Sequence, residues 1–64
     1  MAHFILSYES GTVGHLTEED EGDAIVEAVG RCNAIMVGGN VLDERLNVVA
    51  TIKYDPRVHL WVRD

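Results

Sequence analysis

The chain has 64 residues, one cysteine, a formal net charge of −6 and 47% hydrophobic content, which fits one small folded domain spanning residues 1–64 and excludes a second. Its longest uninterrupted apolar stretches, residues 4–6 and 34–37, fall far short of the ~18 residues of a membrane span. No basic segment precedes them as a secretory signal requires, so the expected setting is cytoplasmic, without membrane contact.

In chain order, residues 3–9 alternate as a strand does, with Phe4, Leu6 and Tyr8 on one face and His3, Ile5 and Ser7 on the other. Residues 10–14 read as a loop. Thr17 then precedes three acids, with Asp20 three positions on, which matches a capped helix start with carboxylates at the positive end of the dipole. Gly22 weakens that first turn by roughly 1 kcal/mol relative to alanine, so Asp20 and Asp23 are alternative starts. Ile25, Ala28, Val29 and Cys32 recur at helical spacing as the buried stripe, and Gly30 or Asn33 is expected to end the helix.

Residues 34–37 form a short apolar run of the kind a buried strand makes, broken by Gly38, Gly39 and Asn40. Residues 41–46 fit either one helical turn capped by Asn40 or a strand that pairs across the glycines. Residues 47–54 and 58–63 are the best strands, joined through Asp55, Pro56 and Arg57. Matching core with core sets Tyr54 opposite Val58, Ile52 opposite Leu60 and Ala50 opposite Val62. Trp61 then falls on the other face, between His59 and Arg63. The expected fold is α+β: one amphipathic helix packed on an antiparallel or mixed sheet of about four strands, in the order βαβββ, with an optional short helix before the last hairpin.

A chain this short buries only about 60% of the surface it exposes when unfolded, and such chains usually need a disulfide, a metal or a partner. Cys32 is alone and reads as a reduced, packed thiol. His3, His15, His59 and Cys32 lack the paired spacings of a zinc site. The glycines match neither phosphate-binding pattern. No cofactor or metal is therefore expected, and a homodimer, a higher oligomer or a partner-bound state is.

Charge is uneven. Residues 1–30 hold seven carboxylates and no Lys or Arg, whereas residues 31–64 nearly balance. At 100° per residue, Asp20, Asp23 and Glu27 fall within about 60° of one another on the helix, with Glu19 beside them. Carboxylates at a helix start and a polar outer face are ordinary features, and Glu27 also stands four residues before Arg31. The missing cations set this face apart, because crowded like charges oppose compaction and favour a cationic partner. Glu19, Asp20, Asp23 and Glu27 are accordingly expected to meet a basic surface on a larger protein.

On the last hairpin, Lys53, Arg57, His59, Trp61 and Arg63 could hold single-stranded nucleic acid by phosphate contact and stacking. A pI near 4.8 opposes this. Trp61, His59 and Arg63 read instead as protein contacts, since tryptophan and arginine anchor interfaces; burial of Trp61 in the core is the equal alternative.

Residues 1–6 and 17–19, followed by the amphipathic helix, resemble the organisation of small tautomerase-like isomerases, which use an N-terminal proline as base. Ala2 stands at that position. His15 and Ser10 share a loop without a third orienting group. The expectation is a non-enzymatic regulator or inhibitor similar to the small acidic inhibitors of phages and mobile elements, including anti-CRISPR and antirestriction proteins. The alternatives are an oligomeric isomerase and a structural homo-oligomer without catalysis.

Overall fold

The computed structural model describes residues 3–64; Ala2, where the tautomerase-like comparison turns, lies outside the described residues. Five strands and one helix follow in the order β1 (Ile5–Tyr8), β2 (Val13–His15), α1 (Glu21–Ile35), β3 (Gly39–Leu42), β4 (Val48–Asp55) and β5 (Leu60–Arg63). The strands form a single antiparallel sheet in the order β2-β1-β3-β4-β5. The fold is thus the expected α+β class, with one strand more. The addition is β2, only three residues long with Gly14 at its centre, which pairs Ile5 with His15 and Ser7 with Val13. No helix is long and apolar enough to cross a membrane among the described residues.

Asp20 caps α1, its carboxylate accepting the Asp23 N–H at 3.1 Å. The helix therefore starts after Asp20, the second of the expected starts. It runs through Gly30 and Asn33 to Ile35, so the strand expected over residues 34–37 does not form. A four-residue apolar run fits the end of a helix as well as a strand. Met36 closes α1 in the left-handed region at φ 60°, its N–H donating to the Cys32 carbonyl.

Gly38 and Gly39 then bring the chain between β1 and β4. A Cβ on either would lie 2.6 Å from a backbone carbonyl oxygen, that of Ile52 for Gly38 and that of Ser7 for Gly39. The ambiguity over residues 41–46 resolves as strand to Leu42 followed by a tight turn. There Asp43 Oδ1 accepts the N–H groups of Arg45 and Asn47, each at 2.9 Å. The Asn47 bond, with smaller help from Arg45, holds the Asp43 carboxyl below its ordinary range against the opposing effect of burial.

The core lies between α1 and one face of the sheet. Leu6, Val41 and Ile52 are fully buried there against Ala24, Ala28 and Cys32, with Phe4, Leu16, Ile25 and Ala50 around them. Burying side chains the size of Leu6 or Ile52 stabilises by roughly 1.5–3 kcal/mol each. Burial pushes the Cys32 thiol pKa up, with Glu9 adding to the effect, so the thiolate needed for reactivity is disfavoured.

The last hairpin corrects the expected register. Tyr54 faces Trp61 and Ile52 faces Arg63, a displacement of three residues. An odd displacement turns every β5 side chain to the other face. Trp61 is half-buried on the helix side, packed on the core and 4.8 Å from the Tyr54 ring centroid, while Val58 and Leu60 are exposed. Matching aliphatic with aliphatic gave the wrong answer because a tryptophan buries some 150–250 Å², more than either aliphatic residue it displaces.

Candidate protein-binding surface

His15, Ile5 and Leu42 stand in one row across β2, β1 and β3. The segments that leave β2 and β3 just beyond that row, residues 16–20 and 43–47, therefore emerge at the same end of the sheet, where α1 also begins. That end gathers Glu18, Glu19, Asp20, Glu21, Asp23, Asp43 and Glu44, with Arg45 the one Lys or Arg among them. Elsewhere Glu27 is paired with Arg31 at 2.7 Å, Arg57 with Asp55 at 3.1 Å and Lys53 with Asp64 at 3.6 Å, leaving Glu9 and Arg63 to offset each other. The formal charge of −6 is thus the charge of one pole.

The structure divides the acids expected to act together. Glu19, Asp20 and Asp23 are exposed at the pole, although the Asp20 carboxylate also serves as the helix cap. Glu27 does not join an open acidic stripe: its side chain is 17% exposed, and its carboxylate accepts the N–H groups of Thr17 at 2.9 Å and Glu18 at 3.0 Å. Burial raises its pKa, but those two N–H groups and Arg31 outweigh burial and hold the carboxyl below its ordinary value. Glu27 fastens the segment between β2 and α1, and thereby fixes where Glu18 and Glu19 stand.

A shallow, open depression of about 400 Å³ beside the helix start is lined by Thr17, Glu18, Asp23, Val26 and Glu27. Val26 is 71% exposed, an apolar spot bordered by carboxylates. A long cationic side chain fits such a place, since its methylene stem packs on apolar surface while its head stays among the acids. Residues 18 and 21 were visible in the sequence as part of the acidic run, but Asp43 and Glu44 were not, because only sheet topology brings their turn to the helix start.

Lys53, Arg57 and Arg63 border one depression of about 440 Å³ on the last hairpin, but Trp61 and His59 are not part of its lining. Trp61 and Arg63 lie on the helix side, Lys53 lies on the opposite side beside Val62, and His59 sits in the turn at φ 56°. The His59 Nδ1 is 3.3 Å from the Tyr54 hydroxyl. Arg57 donates to both carboxylate oxygens of Asp55, at 3.2 and 3.1 Å; these bonds, with the Arg57 N–H, lower the Asp55 pKa. The stacking platform considered for single-stranded nucleic acid is therefore not assembled. Among the described residues no three His, Cys, Asp or Glu side chains are gathered so as to hold a metal ion. Comparison with protein-family models, curated proteins and solved structures finds no significant match to this chain.

Proposed function

We propose that this chain is a small cytoplasmic protein-binding module that regulates or inhibits a larger protein by presenting its acidic pole to a basic surface, such as one built to hold nucleic acid. Phage-encoded anti-CRISPR and antirestriction inhibitors work in this general manner. The reading rests above all on one observation: the molecule's entire net charge belongs to one end, where cations that could neutralise it are almost absent. Concentrated charge of one sign steers encounter with the opposite sign and rejects like-charged partners. The partner groups best suited to the site are Arg and Lys, with stems on Val26 and heads between Glu18 and Asp23.

The test is capture from extract of the native host by the tagged protein, beside a variant carrying Glu19→Gln, Glu21→Gln, Asp23→Asn and Glu44→Gln. The proposal requires a specific protein that wild type retains, that moderate salt releases, and that the variant binds at least tenfold more weakly. Equal retention by both proteins overturns it.

A further inference from the structure

The two edges of the sheet are finished differently. In β5 the bonds of Asp64 with Thr51 and the antiparallel alternation turn the Trp61 backbone outward. Both Trp61 groups are then met by one side chain: its N–H donates to Asn33 Oδ1 at 2.8 Å and its carbonyl accepts from Asn33 Nδ2 at 2.7 Å. An amide that bonds both groups of one residue does what a neighbouring strand would do for that residue; the outward groups of Arg63, two positions on, have no such partner among the described residues.

On β2, the bonds of Tyr8 with Thr12 and Leu16 with Phe4 set which residues face β1. Val13 and His15 point their backbone groups away from the sheet. Only the His15 carbonyl is met, by Arg31 Nη1 at 2.8 Å. The Val13 N–H, the Val13 carbonyl and the His15 N–H have no partner among the described residues. Natural sheet edges are blunted by shortness, charge, proline or a covering segment; β2 has its three-residue length and the Arg31 guanidinium, while residues 10–17 contain no Lys, Arg, Asp, Glu or Pro of their own.

We propose that β2 is a self-pairing edge, and that two copies join through it about a two-fold axis at Gly14 into one continuous ten-stranded antiparallel sheet. In that register Val13 pairs with His15 of the other copy, and both bond through their outward N–H and carbonyl groups. The His15 carbonyl has a second lone pair for this beside its bond from Arg31. Gly14 faces Gly14 at a non-bonded pair, where Cα atoms come to about 4.5 Å. A second copy fits this edge because its outward groups, on Val13 and His15, are symmetric about Gly14, which carries no side chain at the axis; charge, at −6 on each copy, opposes association and selects only the direction. Antiparallel pairing sends the two acidic poles to opposite ends of the dimer, whereas parallel pairing would set them side by side. Each Arg31 guanidinium that reaches the axis over Gly14 is paired with its own Glu27, which offsets the repulsion between the two.

The pairing is independent of the acidic-pole reading and is tested on the pure protein, so either proposal can fail alone. Sedimentation equilibrium at tens of micromolar should give a dimer for the wild type. Val13→Pro removes an outward N–H that no intramolecular bond uses, and edge strands tolerate proline at such positions. It should give a folded monomer, with dissociation at least tenfold more favourable, while Val13→Thr, which keeps the N–H, remains dimeric. Hydrogen exchange of the wild type supplies a measure independent of any variant: the Val13 and His15 amides should be protected, and dilution should abolish that protection. A wild type that stays monomeric at millimolar concentration overturns the proposal. So does a folded Val13→Pro dimer as tight as the wild type, or fast, concentration-independent exchange at both amides.

Discussion

Two residues one position apart from neighbouring, Arg31 and Asn33, reach opposite edges of the same sheet, and they close them to different degrees. Asn33 satisfies both outward groups of Trp61 on β5 and so ties that strand to the helix. Arg31 satisfies one group on β2 and leaves the rest of that edge unpaired. A planar amide offers a donor and an acceptor and can mimic a peptide, whereas a guanidinium only donates. The difference is one of degree: Asn33 closes the β5 edge at Trp61 but not at Arg63, whereas on β2 only the His15 carbonyl is met.

If β5 is part of the core rather than a contact surface, Trp61→Ala should produce the largest stability loss, about 3 kcal/mol, in urea denaturation. The loss should be independent of protein concentration; a variant that unfolds like the wild type but sediments differently would return Trp61 to an interface. Asn33→Ala comes next. Three hydrogen bonds are lost, two with the Trp61 backbone and one to the Val29 carbonyl, an expected cost of about 2 kcal/mol, accompanied by faster exchange of the Trp61 amide and a greater tendency to aggregate.

On the β2 side, Glu27→Gln keeps one acceptor for the Thr17 and Glu18 amides but loses the charge, an expected cost of about 1 kcal/mol. Its pH dependence is diagnostic. The folded-state pKa of Glu27 lies below its unfolded value, so its contribution is present above the ordinary glutamate range and is lost as pH falls through the lowered folded value. Wild-type stability minus that of Glu27→Gln should therefore shrink across that acidic window, and a constant difference would show that the carboxylate is not the clamp. The smallest effects belong to the pole. Asp20→Ala removes the helix cap and should cost about 1 kcal/mol, whereas Glu19→Gln or Glu44→Gln should shift stability by less than about 0.5 kcal/mol. Equal thermal midpoints for the Asp20 and Glu19 variants would mean that the cap contributes nothing.

The amphipathic stripe Ile25, Ala28, Val29 and Cys32, the acid-rich helix start and the strand character of β1 and β4 were legible from the residues alone, because each is a local pattern with a fixed period. So was the excess of acid in the first half of the chain. By contrast, β2 carries too few residues for a period, and the run over residues 34–37 is too short to distinguish helix from strand. Glu27 looked like a member of an outward acidic face, since helical spacing gives an angle but not the loop amides of Thr17 and Glu18 that meet it.

The sequence by itself determined the α+β class, the helix and its buried stripe, and the sign of the charge. Only the tertiary structure decided the β4–β5 register, the face of Trp61, the union of residues 18–23 with Asp43 and Glu44 at one pole, and the unequal closing of the two edges. All four depend on contacts between segments distant in the chain, where burial of a large ring or the pairing of a backbone group outweighs any local preference.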